Sequence, residues 1–247
     1  MAHALSLLRL GRLEEGWAAY RRRERIGFLF PGGSAGLPGV RWTGQDLRGK
    51  TILLRDEQGY GDAIQFFRYL PELRRRGAAR IVLATFPLLL GLFRASTALA
   101  EVVVQPDPGF RPDFHCLTGD LPGGCGTTLE TIPAEVPYLR PPMVEAGPAG
   151  GIGLVWSGDP RHLKDHARSI PAALFLRLVR AAPGRCVSLQ HGVRAGDLPA
   201  LVGSGIPRLG EDLPDLAAAA ERISRLELVI TVDTAIAHLA GAPAASA

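Results

Sequence analysis

Lysine is almost missing from this chain. Of its 28 basic residues only Lys50 and Lys164 are lysines, so the formal net charge of +4 and a pI near 9.3 rest on arginine. A nucleic-acid footprint needs basic residues gathered on one face. The arginines here accompany abundant Ala, Gly and Pro, as a coding bias would give, and no nucleic-acid partner is expected. The runs Arg21-Arg22-Arg23 and Arg74-Arg75-Arg76 lie near the ends of expected helices, where cations favour the dipole, and read as solvated helix ends. Cysteine is scarce too. Cys116, Cys125 and Cys186 are odd in number and show no Cys/His ligand spacing, which excludes a disulfide framework and a structural zinc site and fits reduced thiols in a cytoplasmic protein. His162 and His166 stand four apart without the glutamate of a zinc helix, so no metal is expected there. The apolar run IVLATFPLLLGLF is 13 residues long and broken by Pro87, too short for a bilayer. The amino-terminal MAHALSLLRLGRLEEG carries Arg9, Arg12, Glu14 and Glu15, so it reads as neither signal peptide nor membrane span. No expected strand runs into GxGxxG, which argues against a dinucleotide oxidoreductase.

With 247 residues, 47% hydrophobic and 21% charged, the chain has the makings of one large or two small globular domains. Residues 1–26 read as a helical hairpin: Ala4, Leu7 and Leu8, a break at Gly11, then Leu13, Trp17 and Tyr20 at helical spacing. Residues 27–49, with FPGGSAGLPG, read as a linker with little structure of its own. From residue 50 a βαβ rhythm begins: strand 51–55, helix 62–76, strand 80–85, helix 87–95, strands 101–105 and 113–117. The proline-rich stretch 136–151 interrupts it, leaving a first domain over 50–140. The rhythm restarts over 151–247 with strand 152–157, helix 171–181, strand 185–190, a short strand near 206–209, helix 213–226, strand 228–233 and a helix opening at Thr234. The alternation argues parallel sheets covered on both faces, an α/β fold of two Rossmann-like domains. Ligands of such sheets bind beyond the carboxyl ends of the strands.

Three strand-to-helix junctions carry polar residues. The first holds Glu57, Gln58, Gly59, Gly61 and Asp62. Its glycines allow close backbone approach, and Asp62 reads either as a helix cap or as a general base facing the cleft. The second, WSGDPRHLKDHARSIP, gathers Ser157, Lys164 and Arg168 where anions bind, and Ser169 before Ile170-Pro171 reads as an N-cap. The third, VITVDTAIAHLAG, offers Asp233, Thr234, the backbone N–H of Ala235 and, one turn on, His238. The alternatives here are a phosphate site, or a capping aspartate with a core histidine.

The hairpin resembles a single tetratricopeptide repeat, a unit that needs neighbours to bury its faces. DEQGYGDAIQFFRYLP, GLVWSGDPRHLKDHARSIP and LVITVDTAIAHLAG together resemble the glycosyltransferase-like domain found behind such repeats in bacterial proteins, which is similar to the ADP-heptose:lipopolysaccharide heptosyltransferases. The resemblance implies a GT-B architecture of two facing Rossmann-like domains, with the acceptor on the first and the nucleotide-sugar on the second. It puts the family's Gly-Asp motif on Gly61-Asp62, with Asp62 as the base. Its diphosphate motif falls on Asp233, Thr234, Ala235 and His238, with Ala235 in place of the usual glycine. The hydroxyl and lysine of its phosphate loop fall on Ser157 and Lys164. It further implies metal-independent transfer from a nucleotide-diphosphate sugar to an acceptor glycan or protein, with no cofactor and with the repeat open to a protein partner. The rival expectation is a non-catalytic scaffold for protein–protein contacts. A last expectation concerns the end of the chain: related domains continue past Gly241, so the second domain reads as incomplete, the enzyme as weakened, and strand 228–233 as unpaired on one side.

Overall fold

A computed structural model of the chain describes residues 1–25, 34–142 and 150–242. Part of the expected linker, part of the proline-rich boundary and the segment 243–247 lie outside the described residues. The chain divides into two units, Met1–Tyr138 and Leu139–Ala247.

The first unit begins with the expected hairpin, α1 (Ala2–Arg9) and α2 (Leu13–Tyr20), turning at Gly11, whose φ of 74° suits glycine. A 3-10 turn, Arg21–Arg25, continues α2. A five-stranded sheet follows, built from β1 (Val40–Arg41), β2 (Thr51–Arg55), β3 (Arg80–Ala84), β4 (Glu101–Val103) and β5 (Phe114–Leu117). Their order is β1-β5-β2-β3-β4 and every pairing is parallel. In β2 the consecutive Ile52, Leu53 and Leu54 are all fully buried, as a strand covered on both faces requires. Lys50, just before it, pairs with Asp113 at 3.4 Å.

Three expectations need correction here. Residues 40–49 are not an unstructured linker: Val40–Arg41 pair with β5, and Trp42 and Leu47 are buried, because an indole and an aliphatic chain found apolar surface to cover. The single helix expected over 62–76 is two, α3 (Tyr60–Phe67) and α4 (Leu70–Arg75), since Pro71 has no N–H to continue the first. The arginine runs are not solvated throughout. Arg23 is 1% exposed, and Arg74 donates to the carbonyls of Leu99, Ala78 and Ala79 at 2.6–2.9 Å. The unit is completed by α5 (Pro87–Ser96) and the short α6 (Leu121–Gly124).

The second unit has a three-stranded parallel sheet of β6 (Ile152–Val155), β7 (Cys186–Ser188) and β8 (Leu228–Thr231), ordered β7-β6-β8. Its core gathers Leu154, Trp156, Phe175, Leu176, Cys186 and Leu201. The short strand expected near 206–209 is a lone bridge between Ser188 and Arg208. The helices are α7 (Asp165–Arg168), α8 (Ala172–Phe175), α9 (Leu198–Ser204), α10 (Leu216–Ser224) and α11 (Ala235–Gly241). The helix expected over 171–181 is α8 followed by a 3-10 segment, Leu176–Ala181. Among the described residues β8 is paired on one side, to β6.

Candidate functional site

In the first unit the turn between β2 and α3 lies at the carboxyl edge of the sheet, where Asp56 and Glu57 follow the last strand residue. Asp62 is the third residue of α3, and its Oδ2 accepts the N–H of Gly59 at 3.1 Å, so its carboxylate closes the helix's first turn. Asp62 is half-buried. Glu57 and Gln58, expected to line an acceptor, are engaged from behind. The buried Arg23 guanidinium pairs with Glu57, and Tyr20 Oη donates to Gln58 Oε1 at 2.7 Å. Burial pushes the Tyr20 phenol up to about 12, so it remains a donor.

Sequence reasoning passed over Asp56. It is 7% exposed, and its carboxylate accepts from the hydroxyls of Thr85 at 2.6 Å and Thr118 at 2.9 Å. Three neighbouring strand ends, β3, β2 and β5, are thereby tied by one side chain. Burial pushes the Asp56 carboxyl up to about 6. The readable signal was its place, two residues after the buried aliphatics Ile52 to Leu54 and just past the end of β2.

In the second unit the loops after β6 and β8 meet, because those strands are neighbours and Val232 N–H extends the ladder to Val155 O at 3.1 Å. Arg168 spans them: its Nη1 donates to the carbonyl of Asp233 at 3.1 Å, and its guanidinium lies so close to Gly158 that a Cβ there would meet it at 2.7 Å. Ser157 is 3% exposed and its hydroxyl has no hydrogen-bond partner among the described residues, nor has Arg168 Nε. Thr234 caps α11, accepting Ile236 N–H at 3.3 Å. The Asp233 side chain is exposed and Ala235 opens α11. Ser157, Arg168, Asp233, Thr234 and Ala235 are thus brought to one sheet edge. Lys164 is exposed ahead of α7 and His238 is half-buried on α11; among the described residues no hydrogen bond or ion pair joins either side chain to the rest.

The loop is held by residues not singled out in the sequence. Gln190 Oε1 accepts from Trp156 and Ser157 N–H at 3.1 and 3.0 Å, while its Nε2 donates to the carbonyls of Ser157 and His191 at 3.0 Å. Arg194 Nη2 donates to Asp165 Oδ2 at 2.7 Å and Gly158 O at 3.1 Å. Ser169 is not the N-cap expected of it. Its hydroxyl serves Asp165 and Gly158, and Asp197 receives the Ala172 N–H that opens α8. No group of three or more His, Cys, Asp or Glu suited to a metal ion occurs among the described residues, and no described helix is long and apolar enough to cross a membrane.

No protein-family model matches the chain. A curated relative, Protein FlbA of Caulobacter vibrioides, is 27% identical over 277 residues; the match takes in 98% of this chain, which spans 46% of that relative's length. Among solved structures, TibC, an iron-containing dodecameric glycosyltransferase of enterotoxigenic E. coli, superposes with a TM-score of 0.60 at 10% identity, over 80% of this chain and 57% of that one. TibC in complex with ADP-D-β-D-heptose gives 0.60 at 11%. A family 9 glycosyltransferase of Veillonella parvula gives 0.58 at 12%, over 80% of this chain and 79% of that one. At such identities the likeness is one of fold: this chain has an α/β fold of parallel sheets like that of family 9 glycosyltransferases and the heptosyltransferase TibC.

Proposed function

We propose that the chain is a heptosyltransferase-like glycosyltransferase, moving a sugar from a nucleotide-diphosphate donor to the hydroxyl of an acceptor glycan or protein. The observation that carries the reading is the fold shared with TibC, solved with ADP-D-β-D-heptose. Within the chain it is supported by the edge of β6 and β8, where Arg168 reaches the carbonyl of Asp233, two residues before α11, and the buried Ser157 hydroxyl has no hydrogen-bond partner among the described residues. A cation and hydroxyls at such an edge offer a diphosphate what it needs as negative charge develops on the leaving group. In this reading the units form a GT-B pair. Ser157, Lys164, Arg168, Asp233, Thr234, Ala235 and His238 hold the donor. Asp62 takes the proton of the acceptor hydroxyl, with Glu57, Gln58, Gly59 and Gly61 shaping its turn. Asp62→Asn then lowers turnover by about 10²–10⁴-fold with donor binding intact. A loss of about 1 kcal/mol of stability with normal turnover reduces Asp62 to a cap.

A second reading, a non-catalytic scaffold, is favoured by the engagement of Glu57 and Gln58 with Arg23 and Tyr20. Thermal unfolding with millimolar ADP, GDP, UDP and CDP, and then with ADP-D-β-D-heptose, separates the two. A rise in melting temperature with one nucleotide supports the transferase; no rise with any of them supports the scaffold.

A further inference from the structure

The carboxyl edge of the first sheet is clamped by a side chain from outside it. Arg23, in the turn that ends the hairpin, passes its guanidinium between two neighbouring strand-end loops. Nη1 donates to Asp120 Oδ1 at 2.5 Å beyond β5, and Nε reaches Glu57 Oε1 at 3.0 Å beyond β2. Both carboxylates are at least nine-tenths buried, and the guanidinium also stands over the Tyr20 ring, 4.7 Å from its centroid. Burial opposes the charge, but Asp120 and Glu57 outweigh it and raise the Arg23 pKa, so the cation persists. Arg41 on β1 takes the other Asp120 oxygen at 2.6 Å and also pairs with Glu24, which follows Arg23. Gly119 completes the cluster: a Cβ there would meet Glu57 Oε1 at 2.8 Å, Gln58 Nε2 at 2.9 Å and Arg23 Nη2 at 3.0 Å, so any larger residue pushes on all three.

A buried ion network of this kind is a poor source of net stability, since desolvation offsets most of the Coulomb attraction. Its geometry has another use. Glu57 and Gln58 are both seized from the hairpin, and four residues later the same turn delivers Asp62, whose carboxylate receives Gly59 N–H. We propose that Arg23 is a positioning residue for the 57–62 turn, and that the hairpin belongs to the acceptor side of the molecule rather than being a detachable repeat. The functional part of this rests on the glycosyltransferase reading; the mechanical part does not.

Amide hydrogen exchange on the whole chain tests it. Gly119→Ala disturbs the clamp without removing a charge, Arg23→Met removes its cation, and Arg23→Lys restores charge without the fork. In the first two, exchange at Gly59 and Ala63 should quicken by about tenfold or more while β6 amides are unchanged, with Arg23→Lys in between. If the hairpin amides of 13–24 loosen and those of 57–63 do not, Arg23 only anchors the hairpin and the proposal fails. Should Arg23→Met not fold, Gly119→Ala and Tyr20→Phe decide the matter by the same readout. Where the wild type transfers sugar, the clamp variants should lose kcat with the donor KM unchanged, and a loosened turn with undiminished kcat would overturn the positioning role. A wild type that transfers no sugar counts against the glycosyltransferase reading, and the exchange data alone then decide the clamp.

Discussion

Asp56 carries a pH dependence that can be written down. Its folded pKa, pushed by burial to about 6, lies above the ordinary 3.8. The folded state therefore binds more protons than the unfolded one between those values. The stability this proton contributes is complete below about pH 4 and is lost as pH rises through 6, roughly 3 kcal/mol in all at about 1.4 kcal/mol per unit. Asp56→Asn should flatten that stretch of the stability–pH curve, read by urea unfolding across it. An unaltered slope would mean that Asp56 ionises alike in both states. Two neighbours in the second unit separate structure from binding. Gln190→Leu strips hydrogen bonds from four backbone groups and should cost about 3 kcal/mol or more. Ser157→Ala removes a hydroxyl that has no hydrogen-bond partner among the described residues and should leave stability within about 0.5 kcal/mol while weakening nucleotide binding. Equal stability losses in the two variants would contradict this account.

Elements whose information is local were readable in the sequence. β2 came out with its observed bounds because three consecutive buried aliphatics, Ile52 to Leu54, need no distant partner to be recognised, and Gly11 marked its turn by backbone freedom alone. Elements fixed by distant competition were not. Ser169 had the sequence of a cap, yet Asp197, 28 residues on, takes the helix start. Arg23 sat in a run of like charges that nothing local distinguishes from a solvated one, and only Glu57 and Asp120, far along the chain, account for its burial. Val40–Arg41, two residues after a Gly/Pro stretch, is too short for a strand pattern, though Trp42 beside it was a sign of burial. Gly124 lies against the Trp42 ring, leaving no room for a methyl group. Gly124→Ala should destabilise the first unit by about 1–3 kcal/mol and shift tryptophan emission to the red. A variant as stable as the wild type would mean that the 40–49 segment is dispensable to the unit.

At the scale of the molecule, the proposed reading assigns the donor to the second unit and the acceptor to the first. A bound nucleotide diphosphate should protect amides around 156–158 and 232–236 and leave those of 51–64 as they were; the opposite pattern would move the donor to the first unit. Lys164→Ala and His238→Ala should each weaken that binding, the first more at low salt than at high salt, because an exposed ammonium acts as a screened point charge. Unchanged affinity in both would remove them from the donor site.

The two lysines also fall one to a unit, Lys50 beside Asp113 at the start of β2 and Lys164 exposed ahead of α7. Once the terminal α-amine has been blocked at a pH where the lysines stay protonated, a dye that reacts with primary amines meets a single side chain in each unit. Fluorescence energy transfer between labels at those positions becomes a ruler across the two units, obtained without engineering a cysteine, and it would report any closure of one unit on the other as nucleotide is added.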